Sequence, residues 1–290
     1  MINILVAYPY FKEPIYNYLL TLDHSKYSLI VDSGAFTAWN TGKIIKLDEY
    51  CKFLDSIEKL KPFHAVQLDV FGNPEESWKN FLTMKSRGYD VMPVFTRGEN
   101  LVMLENMYKE TEYIMFGGVV TGRSNKNYVK WFQERNGSRK VHWLGFVNMD
   151  FIKKYKPTSV DSSSWCGAAR FGNLFLYEKY GDMKTFKKND FIKSPSKEII
   201  TLASNIGVTF SELKYLGYKA AWSGQRATVP TPTDVKGTAH FMTTLTHVLR
   251  MIEVEKHFGT KIYLACGGVQ QIQLIHTALK FLKSRGRCAS

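Results

Sequence analysis

Short apolar runs alternate with amphipathic helical stretches through the first 165 residues of the chain. The runs Ile4–Tyr8, Leu29–Asp32, Ala65–Val70, Val91–Phe95, Tyr113–Val119, Val141–Phe146 and Ser159–Asp161 predict strands. Between them, residues 47–60, 74–87, 99–111, 125–135 and 149–155 predict helices. In the first of these Leu47, Tyr50, Cys51, Leu54, Ile57 and Leu60 share one face at the helical period. Pro74 with Glu75 and Glu76 opens the next, and Gly88 closes it. Strand–helix alternation implies parallel strands joined by right-handed crossovers. Seven strands before residue 165 predict an α/β fold of the (β/α)₈ barrel type rather than a doubly wound sheet. The eighth strand is either Ile262–Cys266 or an irregular N-terminal segment. Residues 1–166 are therefore expected to hold the main part of the barrel and its active site. Residues 167–290 are expected to complete it or pack on it, as a basic elaboration with helices over Ser211–Leu216 and Ala239–Lys256.

Charge sharpens this picture. The 290 residues carry 39 Lys and Arg against 26 Asp and Glu, a net charge of +13. A basic surface concentrates polyanions, and nucleic acid is the commonest of them. Much of the excess recurs at 184–197, 214–226 and 280–287, with Arg170 and Arg226 as candidate phosphate contacts. No stretch approaches the roughly 20 uncharged apolar residues that a membrane span needs, so no membrane partner is expected. The start, MINILVAYPYFKEP, lacks a basic region ahead of its apolar run and reads as a strand rather than a signal peptide. Cys51, Cys166, Cys266 and Cys288 are scattered without a C-x-x-C pair, which fits a reducing cytoplasm and predicts no cysteine-based zinc site. His240, His247 and His257 have no cysteine partners and read as surface or packing residues.

Candidate chemistry gathers where barrels keep it, at the C-terminal ends of the strands. Asp32 in LIVDSGAF, Asp69 in AVQLDVF and Asp161 in TSVDSSSW each end an apolar strand. Any one of them is explained as a helix cap. Three at one barrel mouth cost electrostatic energy unless they are used. Several carboxylates in one site suit glycosyl chemistry, in which one attacks an anomeric carbon and another moves protons. Gly117, Gly118 and Val119 follow the next strand but one, where glycines let amides reach a carbonyl oxygen and equally make a plain tight turn.

Together these segments resemble the tRNA-guanine transglycosylase superfamily, in its motif order as well as its motifs. Val31-Asp32-Ser33-Gly34-Ala35-Phe36 is similar to the family's DSGG/DSGS-aromatic motif. The resemblance implies that Asp32 serves general acid/base chemistry and that Phe36 stacks on the exchanged base. Leu68-Asp69 resembles the aspartate that reads the amino and ring N–H edge of guanine. Gly117-Gly118-Val119-Val120 is similar to the loop whose amides bind the base carbonyl. His142-Trp143-Leu144-Gly145 resembles the HLMG strand, which implies that Leu144 covers the other face of the base. Val160-Asp161-Ser162-Ser163-Ser164-Trp165 resembles the segment carrying the nucleophilic aspartate, so Asp161 is the implied nucleophile. The likeness spans residues 31 to about 170.

The chain also departs from that family. Members acting on tRNA carry a C-x-C-x-x-C zinc site after the nucleophile strand, whereas only Cys166 stands here, so no structural zinc is expected. The family's polar glutamine has no counterpart in Pro93-Val94-Phe95-Thr96-Arg97-Gly98, and Arg123 replaces a glutamate after the glycine loop. An arginine there disfavours a cationic base and leaves a neutral or nitrile-bearing 7-deazaguanine as the free substrate. Short, zinc-free and basic, the chain is most similar to the phage DNA-modifying branch, the DpdA-type transglycosylases. That resemblance implies a pentosyltransferase, needing no cofactor, that exchanges guanine in flipped or single-stranded DNA for a 7-deazaguanine. Action on tRNA, a barrel hydrolase or lyase for a small metabolite, and a non-catalytic nucleic-acid-binding subunit are the alternatives.

Overall fold

The structure, a computed structural model, describes residues 1–119, 125–167, 171–191, 195–214 and 238–288. The chain divides into two compact units. The first is essentially Asn3–Ser162 with Tyr263–Gly268, and the second is Ser163–Ile262 with Val269–Ser290.

The first unit is built on a nearly closed, barrel-shaped parallel sheet with helices around it. In chain order the strands are β1 (Ile2–Ala7), β2 (Tyr27–Asp32), β3 (His64–Val66), β4 (Val91–Met92), β5 (Val94–Phe95), β6 (Tyr113–Phe116), β7 (Lys140–Trp143) and β8 (Ser159–Ser162). A further strand, Lys261–Ala265, inserts between β1 and β8. Numbered β11 in chain order, it pairs Leu264 with Ile4 and is the first of the two candidates named above for the eighth strand. The sheet runs β4-β3-β2-β1-β11-β8-β7-β6-β5, nine segments in all. Its two ends, β4 and β5, are separated in sequence only by Pro93. Around that proline the backbone serves both sides. The Met92 carbonyl accepts from Gln67 N–H at 3.0 Å, and the Pro93 carbonyl accepts from Met115 N–H at 2.8 Å. Proline has no N–H of its own to donate, so the pairing is interrupted there.

Both faces of these strands are covered, which is why they read as continuous apolar runs. Leu5, Ile30, Val66, Met92, Val94, Met115 and Tyr263, one from each of seven strand segments, fill the interior. The alternate residues Ile4, Val31 and Phe116 are buried on the other face. There the helices α3 (Leu47–Ser56), α4 (Pro74–Ser86), α5 (Leu101–Glu110), α6 (Asn125–Asn136) and α7 (Met149–Tyr155) follow their strands. Asparagine caps start three of them, with Asn73, Asn100 and Asn148 accepting from Glu76, Met103 and Phe151 N–H. Two short helices, α1 (Glu13–Leu20) and α2 (Ala35–Asn40), precede these.

Several strands are shorter than the apolar runs suggested. The expected strand Ala65–Val70 stops at Val66, because the Leu68 carbonyl is taken by Asn80 Nδ2 of α4 at 2.9 Å instead of a neighbouring strand. Tyr113–Val119 stops at Phe116 and Val141–Phe146 at Trp143, each ahead of a positive-φ glycine, Gly118 at 72° and Gly145 at 67°. Among the freed residues are Gln67 and Asp69, which bond each other, and Gly145, whose N–H reaches Asp161.

The second unit holds an antiparallel pair, β9 (Asn173–Tyr177) and β10 (Met183–Lys187), with helices α8 (Lys197–Asn205), α9 (Phe210–Lys214), α10 (Ala239–Phe258) and α11 (Val269–Ser284). Helix α10 is buried along most of its length, and Thr246 Oγ1 donates to the Phe175 carbonyl of β9 at 2.8 Å. On the same helix His247 packs edge-on against Phe175, and burial pushes its imidazole down to about 4. It is a packing residue. Among the described residues no helix is long and apolar enough to cross a membrane.

Candidate active site

Because the barrel strands run parallel, their C-terminal ends share one face of the sheet, and the polar residues cluster there. Asp32 ends β2, Asp69 follows β3 by three residues, Glu99 follows β5 by four, and Asp161 lies within β8. Asp32 accepts the Gly34 N–H at 2.5 Å in a tight turn that starts α2. Gln67 Nε2 donates to Asp69 Oδ1 at 2.6 Å, and Thr96 Oγ1 donates to Glu99 Oε1 at 3.2 Å.

Asp161 is the best-held of the four. Its Oδ1 accepts the Gly145 backbone N–H at 2.6 Å and faces His142 Nε2 at 3.2 Å. The strand register explains this. Period two puts Ser159 and Asp161 on one face of β8, and His142 of β7 pairs directly with Ser159. The imidazole thus bridges the two, with Nδ1 on Ser159 Oγ and Nε2 on Asp161. Tyr113 OH closes the chain on Ser159 Oγ at 2.6 Å. Serine, histidine and aspartate in a row suggest a hydrolase triad, but Ser159 and His142 are both fully buried. The end that reaches solvent is Asp161. With Oδ1 occupied twice, the carboxylate is fixed in orientation and its other oxygen is left for chemistry.

The carboxyls form a coupled set. Burial raises Asp32 above the usual carboxylate range, and the negative charge of Asp161 adds to it, against the Gly34 N–H and His142. Burial pushes Asp69 up to about 7, opposed by the Gln67 amide and assisted by Asp32 and Glu99. Glu99 is likewise raised by burial to about 7, with Thr96 opposing. Its Oε2 and the Gln67 Oε1 are buried acceptors with no donor among the described residues. The mouth therefore offers unpaired acceptors to a ligand rich in N–H groups.

These shifts have a consequence for stability. Folded Asp69 and Glu99 keep their protons up to about pH 7, whereas an unfolded chain loses them near pH 4. Between those limits the folded state binds more protons, so stability declines as pH rises from about 4 to about 7. Asp69→Asn should remove part of that decline, read as a flatter pH dependence of the urea midpoint. An unchanged slope in Asp69→Asn and Glu99→Gln would show that neither group carries it.

The other predicted residues are placed as follows. Phe36 is 42% exposed on α2, one helical turn beyond Asp32. Leu144 packs on the interior cluster, its Cδ1 within 3.6 Å of where a Gly117 Cβ would stand. Gly117 and Gly118 have packing reasons of their own. A Cβ on Gly118 would come within 3.0 Å of the Arg97 backbone nitrogen, and one on Gly117 within 3.1 Å of Val94. Val119 is buried. Arg97 itself lies over the Tyr128 ring, 4.4 Å from its centroid. Val120, Arg123, Arg170 and Arg226 fall outside the described residues. Among the described residues no group of three or more His, Cys, Asp or Glu side chains could hold a metal ion.

Sequence reasoning missed Glu99 and the role of His142. The signal for His142 was present, since a histidine inside the apolar run VHWL must find a buried partner. Glu99 sits in a polar loop and carries no such mark. Comparison with protein-family models, curated proteins and solved structures finds no match to this chain.

Proposed function

We propose that the chain is a transglycosylase that exchanges guanine in DNA for a 7-deazaguanine through a covalent glycosyl ester on Asp161. On this reading β4 and β5 count as one strand broken at Pro93, which gives the eight strands of a (β/α)₈ barrel. The observation that carries it is the unequal treatment of neighbouring carboxyls: Asp161 is aimed by the Gly145 N–H and the His142 imidazole, while Asp32 beside it is pushed toward its protonated form. That is the division of labour glycosyl transfer needs. The free oxygen of Asp161 attacks C1′ of a flipped nucleotide as the bond from C1′ to the base nitrogen breaks, and Asp32 gives its proton to the departing guanine. The incoming 7-deazaguanine returns a proton to Asp32, attacks C1′ and releases Asp161. Asp69, Glu99 and Gln67 supply acceptors for the N–H edge of the base, and Phe36 and Leu144 cover its faces. A neutral base or a nitrile-bearing precursor fits, and no cofactor takes part.

Labelled guanine incubated with DNA, or with tRNA, at matched salt tests the reading. Label should enter DNA. Phosphate contacts favour either polymer, so incorporation rather than binding discriminates. Label in tRNA with DNA inert would overturn the DNA assignment, and label in neither would overturn exchange.

His142 acts through Asp161, as a positioning residue. His142→Leu should lower turnover on the order of a hundredfold with little change in KM, because misplacing a nucleophile by about 1 Å costs that much. His142→Gln keeps an N–H near Asp161 Oδ1 and should recover much of the loss. Equal losses in the two variants would assign His142 to packing alone.

A further inference from the structure

Three large aromatic side chains stand exposed at the rim of the barrel, immediately beyond two of the mouth carboxyls. Phe36 and Trp39 lie on α2 after Asp32, and Phe71 lies two residues after Asp69. They are 42%, 56% and 42% exposed. Trp39 and Phe71 stack with centroids 5.0 Å apart and planes 16° from parallel, and Phe36 touches both, at 6.3 and 6.0 Å. Single exposed rings are ordinary, but rings packed into one contiguous exposed patch often mark a contact surface.

We propose that the Trp39–Phe71 stack is a landing platform for a base flanking the target nucleotide in single-stranded DNA. The inference rests on the DNA-modifying reading above, and three observations favour this occupant. The patch is small. Half-exposed rings of this kind offer roughly 300 Å² together, well short of the about 800 Å² per partner that a stable protein interface buries. A single base has the size and flatness to cover it. Next, the stack continues from Phe36, the ring closest to Asp32 along the chain, so a strand whose target enters the mouth has its neighbouring base over Trp39 or Phe71. Finally, the segment that leaves α2 carries the exposed Lys43, three residues past the helix, in a chain of net charge +13. A cation close in sequence to a ring platform suits a sugar–phosphate backbone. Stacking is indifferent to base identity, so the platform holds the strand without restricting what flanks the guanine.

The test uses a fluorescent oligothymidylate strand and an abasic deoxyribose-phosphate strand of equal length, read by anisotropy. Thymine cannot be the exchanged base, so this binding is measured independently of exchange. Trp39→Ala combined with Phe71→Ala should weaken the thymidylate strand roughly 5- to 100-fold and leave the abasic strand unchanged. Trp39→Phe, which keeps a ring, should retain most of the affinity. Equal weakening of both strands, or of neither, overturns the proposal. So does tighter, ring-dependent binding of a matched uridylate strand, or a dimer that dissociates in the double variant. Intact ring-dependent binding by a chain that exchanges no base would sink the function proposed above and leave the platform standing.

Discussion

Asp161→Asn is expected to lower base exchange by several orders of magnitude while the barrel stays folded. Asparagine has the same shape, and its side-chain oxygen still accepts the Gly145 N–H and faces His142 Nε2, so the contacts that seat the residue survive. What disappears is the negative oxygen that forms the bond to C1′ in the proposed mechanism, and neither Asp32 nor Asp69 is free to take its place. Asp32 is fixed to its own turn by Gly34, and Asp69 is held by Gln67. Losing a nucleophile removes the covalent route altogether, which distinguishes it from losing a group that merely aids one. Two measurements check this together: release of labelled guanine, and mass spectrometry of the denatured enzyme for a glycosyl adduct. Exchange near the wild-type rate would sink the mechanism.

The largest structural effect is expected at Gly34. This residue sits at φ 74°, in the left-handed region, and caps α2. A Cβ added there would lie 2.3 Å from Pro9 Cδ and 2.7 Å from Cγ, against a ring that cannot rotate away. The left-handed conformation costs a side chain about 1–2 kcal/mol, and the overlap about 1–3 kcal/mol more. Gly34→Ala should therefore lose roughly 2–5 kcal/mol of stability by urea unfolding. It should also lose exchange, because the backbone that clashes is the one that holds Asp32. An unchanged unfolding midpoint would mean that Pro9 can move aside.

How far the sequence foretold this follows from where each residue's constraint lies. Helices α3 to α7 were legible because each carries an apolar stripe, and α4 also opens on Pro74. Helix α11 escaped notice under its lysines, although Ile272, Ile275, Leu279 and Leu282 recur at helical spacing. The β9–β10 pair was hidden by Lys184 and Lys187, which fall on opposite faces of MKTFK and erase its alternation. The break at Pro93 could have been read, since proline inside an apolar strand interrupts pairing. Asp32, Asp69 and Asp161 were found because a carboxyl at the end of an apolar strand is conspicuous. Glu99 was not, since its burial arises from loops that meet only in three dimensions, and pattern along the chain carries no trace of that.

The position of β11 has a consequence for synthesis. Ile4 pairs with Leu264, and Leu5 and Tyr263 share the interior. A ribosome must therefore make the chain through Leu264 before the first strand meets this partner. Until then β1 and β8 both present open edges, with the apolar interior between them unsealed. Such a nascent chain is slow to close and prone to pair with its neighbours. Poor yield on rapid overexpression, relieved by cooling or by chaperones that shield strand edges, is the behaviour this topology dictates.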